Sequence, residues 1–172
     1  MYFETSAPSH AERGAVLLVS LLFLLVLSML GVTALKTTLL EERMAGNLRD
    51  QQLAFQAAEA ALRAGQQFLS QATLPPFADA DGLYQAGAPW RSWDHEDWQR
   101  FGTAYDTFAD DPLEGLAAQP RYIIEEMGAI PLAGGSLAAD EPAGEGQMYR
   151  ITARAVGGSA NAVVLLQATY LR

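Results

Sequence analysis

From Ala15 to Leu35 the chain reads AVLLVSLLFLLVLSMLGVTAL, an apolar run with no charged residue and only Ser20, Ser28 and Thr33 as polar breaks. A helix needs about 20 such residues to cross a hydrocarbon core. The run therefore predicts a transmembrane helix over 15–35, and a wholly water-soluble cytoplasmic protein is excluded as the primary reading.

The flanks decide what kind of membrane segment this is. Residues 1–14 form a short polar leader that ends in Glu12-Arg13-Gly14, directly against the apolar stretch. A secretory signal peptide has a shorter apolar core followed by a small-x-small cleavage site. Here the run is too long, and its downstream flank, Leu35-Lys36-Thr37-Thr38, offers no Ala-x-Ala. Two alternatives remain: an uncleaved anchor, or a cut before the apolar run. Arg13 is opposed by Glu4 and Glu12, so the positive-inside rule gives little help with orientation.

Beyond the membrane segment, residues 36–73 are free of proline and rich in helix formers. Leu48, Phe55, Leu62 and Leu69 recur every seven residues, with Leu40 and Met44 extending the stripe. The expectation is one helix that leaves the membrane, becomes amphipathic and buries this stripe, on its own domain or in a coiled coil. Gly46-Asn47 is a weak point, and Pro75-Pro76 prevents further helix.

Residues 74–172 read as a globular domain. Residues 78–89 resemble a linker rich in glycine, alanine and aspartate. Trp98, Phe101, Tyr105 and Phe108 lie at helical spacing, which predicts a short helix from Asp94 to Ala109. With Trp90 and Trp93, these rings are expected to fill the gap between helix and sheet; a sugar- or surface-binding aromatic patch is the alternative. Arg121–Glu126 is a candidate strand, followed by a glycine- and proline-rich loop over 128–146. Alternation from Tyr149 to Val156, turn residues at 157–161 and the run 162–170 predict an antiparallel hairpin. The fold class expected is α+β: a long N-terminal helix on a small antiparallel β-sheet.

Charge and composition remove other functions. The formal charge is −9, and residues 79–145 hold fourteen acidic residues against Arg91, Arg100 and Arg121, a net of −11. Such a surface repels a phosphate backbone, so direct nucleic-acid binding is disfavoured. With no cysteine there is no disulfide, thiolate metal site or thiol nucleophile. His95 lies in Asp94-His95-Glu96-Asp97, read as an acidic helix start. Neither a Gly-x-Ser-x-Gly elbow nor a phosphate loop is present. Asp79-Ala80-Asp81-Gly82 and Asp110-Asp111 do not complete a calcium loop ending in glutamate. No catalytic residue, cofactor or metal is assigned, and an enzyme is not expected.

The segment KTTLLEERMAGNLRDQQLAFQAAEAALRAG, Lys36 to Gly65, resembles the N-terminal helix of PilX-type minor pilins, above all in EERMAGNLRD and LAFQAAEAAL. The C-terminal YRITARAVGGSANAVVLLQATY is similar to the terminal hairpin of the same family. The resemblance covers roughly residues 10–70 and 120–172. It implies that a prepilin peptidase cuts between Gly14 and Ala15 and that the new amine of Ala15 is N-methylated. The helix would first sit in inner-membrane lipid, with the C-terminal domain in the periplasm, and later join the core of an extracellular pilus beside other minor pilins and the major pilin. Two departures stand out: the family favours phenylalanine or methionine where Ala15 stands, and glutamate at the fifth mature position, here Val19. The functional expectation is a minor pilin of the type IV pilus, a low-abundance priming or tip-proximal subunit. The alternatives are a tip pseudopilin of a type II secretion system and a membrane-anchored periplasmic binding or scaffold protein.

Overall fold

The computed structural model describes residues 10–107, 112–131 and 144–172. The chain divides into two compact units, Met1–Gly46 and Asn47–Arg172. Helix α1, His10–Leu69, belongs to both. Its apolar segment gives the polar breaks a local solution: the Ser20 hydroxyl donates to the Leu17 carbonyl at 2.8 Å and Thr33 to Met29 at 2.8 Å. These two hydroxyls are satisfied on their own helix and ask nothing of their surroundings.

The second unit is a mixed sheet with the C-terminal part of α1 on one face. The strands are β1 (Leu83–Gln85), β2 (Thr103–Ala104), β3 (Arg121–Pro131), β4 (Glu145–Val156) and β5 (Val163–Leu171), in the order β1-β3-β4-β5 with β2 also on β3. β3–β4 and β4–β5 are antiparallel, as expected of the predicted hairpin and its neighbour. Two corrections apply to the sheet. It is mixed instead of purely antiparallel, because β1, inside the predicted linker, pairs parallel to β3 through Leu83↔Ile124. The strands also reach into the predicted loop over 128–146, as far as Pro131 on one side and back to Glu145 on the other.

Alternation along β3 separates two cores. Tyr122 and Ile124 join Ile151, Ala153 and Tyr149 against Ala61, Ala64 and Leu69 of α1. Ile123 points the other way, into Tyr84, Trp90 and Trp98. Trp90, Trp93, Trp98 and Phe101 thus cover the face opposite α1 and do not fill the gap between helix and sheet, whereas Tyr105 does pack against the helix–sheet core. On the helix side of that gap α1 presents Ala54, Ala57, Ala58, Ala61 and Ala64, all buried, and the rings in it, Tyr122 and Tyr149, come from the sheet. A Cβ on Gly65 would stand 2.7 Å from Ile151 Cγ2 and 3.2 Å from Tyr122 Cδ2.

The heptad stripe is accordingly only half correct. Leu69 is fully buried and Leu62 packs at the edge of the core, whereas Leu48 and Phe55 are exposed. Close approach selects the smallest residues for the buried face, and large side chains there would hold helix and sheet apart. α1 ends at Leu69, inside the proline-free stretch 36–73; Ser70 and Gln71 N–H groups fold back onto Gln66, Gln67 and Phe68 carbonyls.

The short helix is also shorter than its aromatic spacing suggested. Helix α2 spans His95–Phe101, opened by a capping box in which Asp94 Oδ1 accepts from Asp97 N–H and Asp97 Oδ2 from Asp94 N–H. Gly102 then turns extended and β2 begins. Phe108 lies outside the described residues.

Candidate functional site

The candidate site is a set of surfaces in place of a catalytic pocket. In the first unit, α1 carries the apolar run with none of it covered: Val16, Leu17, Leu24 and Leu27 are each at least 65% exposed. The helix is long and apolar enough to cross a membrane, and none of its most apolar window is buried. Burying such side chains is worth about 1.5–3 kcal/mol each, so lipid or other apolar helices are its stable surroundings.

The residues singled out in the sequence fall at the start of this helix. Gly14 is helical, and a Cβ built there meets nothing within 4 Å. Ala15 and Val19 share one face, lining a shallow groove with Val16, Ser20 and Phe23. Val19 is half exposed, and no ionisable side chain occurs anywhere from Ala15 to Leu35.

A second surface lies in the other unit, between α1 and the edge strand β5. Leu48, Gln51 and Phe55 face Val163 and Val164 across a groove of about 710 Å³. Val163 and Leu165 are exposed on β5. One end of this surface is tied down by Asp50, whose carboxylate accepts from the backbone N–H and the hydroxyl of Ser159 in the β4–β5 turn. The Ser159 hydroxyl bond is the main cause of a lowered Asp50 pKa, against a smaller opposing effect of desolvation. Gly157 is required beneath it, since a Cβ would collide with the Asp50 backbone and carboxylate.

Sequence reasoning missed Glu125. It is 1% exposed. Its Oε1 accepts from Gly87 and Ala88 N–H, both at 3.2 Å, and its Oε2 from the Trp90 indole at 3.2 Å, with Arg150 Nη1 3.6 Å away. This carboxylate pins the loop before α2 onto the sheet. The available signal was alternation in RYIIEE, which places Glu125 on the same face as Ile123.

Among the described residues, nothing in this arrangement assembles a nucleophile with a base. His95 Nδ1 lies 3.2 Å from Arg154 Nη1 at an exposed position. Among the described residues, no group of three or more His, Asp or Glu side chains is placed to hold a metal ion.

An exposed apolar helix carried on a small α+β domain defines the pilin-like class of subunit. The chain belongs to the PilX family: residues 13–63 match the profile of the PilX N-terminal domain, and residues 51–172 match that of the type IV pilus assembly protein PilX C-terminal domain. No curated protein and no solved structure matches the chain. It is a minor pilin and takes part in type IV pilus assembly, within an apparatus that includes other pilins. The family is a structural component of the pilus.

Proposed function

We propose that this protein is a low-copy, tip-proximal subunit that helps to prime the pilus. In this reading a prepilin peptidase releases residues 1–14 and Ala15 becomes the N-methylated mature terminus. The helix is held in inner-membrane lipid with the domain in the periplasm, and then enters the filament core with other minor pilins and the major pilin.

The observation that carries the placement is Val19. In the family, the glutamate at the fifth mature position of an incoming subunit neutralises the terminal amine of the subunit above it. An unpaired charge in an apolar medium is costly, and this chain has no carboxylate from Ala15 to Leu35 to offer. A subunit of this kind fits best where no amine above it needs a partner, while its own amine can still be met from below.

Three experiments test the reading. Gly14→Leu should leave an unprocessed membrane protein; the open space around Gly14 means that misfolding is not the cause. A normal mature mass would remove the cleavage step. Deletion should reduce the number of pili more than their length, and Val19→Glu should bring no gain in incorporation. Dense labelling along the shafts, or better incorporation of the glutamate variant, would sink the tip placement.

A further inference from the structure

On the face of the sheet opposite α1, a cavity of about 420 Å³ opens among Tyr84, Trp93 and Phe101, with Asp79, Gln85 and Pro89 completing its wall. Trp93 holds the rings together, its centroid 5.4 Å from Phe101 and 5.6 Å from Tyr84. Concave aromatic sites with few polar groups are the usual form of small-molecule sites. The polar groups of the wall indicate which chemistry it accepts.

The donors are largely spent. Gly87 and Ala88 N–H groups point to Glu125, Pro89 has no N–H, and the Tyr84 hydroxyl donates to the Phe101 carbonyl at 3.1 Å. Gln85 gives its backbone N–H to Asp79 Oδ1 at 2.8 Å and its side-chain amide to the Phe77 carbonyl and Glu126 Oε2. What remains is electron-rich: ring faces, the Asp79 carboxylate and the Gln85 amide oxygen, with the Trp93 indole as the remaining side-chain donor. An anion finds little to bind here, and a sugar, which needs donors and acceptors together, is poorly matched.

Negative charge is concentrated at the same place. Burial first, then the charges of Asp79 and Asp81, push the Tyr84 phenol pKa up. Rings here already engage cations within the fold: Arg91 lies 4.5 Å from the Trp90 ring, and Arg100 lies 5.2 Å from the wall ring Phe101. Aromatic faces attract cations through their quadrupoles, and alkylated ammonium ions suit them best because their substituents also gain from apolar burial.

We propose that this cavity binds a small alkylated ammonium compound, with Trp93, Tyr84 and Phe101 as the aromatic wall and Asp79 as the counter-charge. The test is a titration of the full chain in a neutral maltoside micelle with choline and with 3,3-dimethylbutan-1-ol, its uncharged carbon isostere, read by tryptophan fluorescence and saturation-transfer NMR. Choline should bind saturably, and the isostere about tenfold more weakly, in line with the size of a cation–π contact plus one partly exposed counter-charge. Asp79→Asn is the decisive variant. It keeps an oxygen for the Gln85 N–H, and asparagine tolerates the φ of 57° at this position. It should weaken choline binding several-fold with the melting temperature unchanged. Equal binding of choline and its isostere, an unaffected Asp79→Asn variant, or no saturable choline binding would each overturn the proposal.

Discussion

The two parts of α1 place side-chain size in opposite ways. In the first unit, residues such as Leu17, Leu24 and Met29 stand exposed. In the second, the face that meets the sheet is Ala54, Ala57, Ala58, Ala61, Ala64 and Gly65, while Leu48 and Phe55 stay outside. Hydrophobicity alone would bury the leucines and leave the alanines. The difference teaches that this helix serves two kinds of contact: a permanent one with its own sheet, where closeness rewards small residues, and an exposed one made of large apolar groups.

The largest effect expected from this contrast follows from removing its exposed part. A fragment that starts at Leu40 should be soluble without detergent and show both helix and sheet by circular dichroism, whereas the full chain should need a micelle. An aggregated or all-helical fragment would mean that the second unit does not hold its own core.

Glu125→Gln comes next in size. The substitution loses the charge beside Arg150 and leaves buried N–H groups of the 87–90 loop facing an amide in place of a carboxylate oxygen. A loss of about 2–4 kcal/mol is expected from urea denaturation. A loss within experimental error would show that the aromatic face does not depend on this anchor.

Gly65 and Gly46 sharpen the comparison between the two parts of the helix. Gly65→Ala should destabilise by about 1–3 kcal/mol, because overpacking against Ile151 outweighs the gain in helix propensity. Gly46→Ala, where a Cβ meets nothing, should stabilise by about 0.5–1 kcal/mol. Equal effects in the two variants would refute close packing as the reason for the alanine face.

The smallest effect is a pH dependence. The Asp50 pKa is lowered from 3.8 in the folded chain, chiefly by Ser159. Its contribution is therefore complete above the ordinary carboxylate value and is lost as pH falls through the folded one. Asp50→Asn should melt with a weaker acid dependence below about pH 4, and an unchanged acid limb would show that the bond to Ser159 adds no stability.

How much of this was legible in the sequence depended on whether the signal was local. The long helix followed from a stretch without proline, and the hairpin from alternation on both sides of Gly157-Gly158. β1 was hidden because Leu83–Gln85 is a three-residue strand defined by a partner about forty residues away. The buried face of α1 was misjudged because a heptad count favours leucine, whereas packing distance favours alanine. The aromatic cluster was seen as a cluster, but which face of the sheet it covers depends on the register of β3. Val19 as the fifth mature position rests on spacing from the proposed cut after Gly14 and stays part of the proposal, and Glu125 needed the two-residue period of β3 to be followed one step further.

In the proposed placement, with the helix in the filament core, load on the subunit enters the second unit along α1, and this gives the Asp50–Ser159 clasp a mechanical meaning. Passing from the apolar end of α1 into the second unit, Asp50 is three residues beyond Asn47, ahead of the first buried alanine at 54. Tension entering along the helix therefore reaches this clasp before it reaches the alanine seam. Local opening begins where protection is least, and a charge-assisted bond at the leading end of the seam resists peeling where peeling would start. In that placement Asp50 would work as a rivet at the edge of a lap joint, adding little to the resting strength of the fold while keeping load from unzipping it.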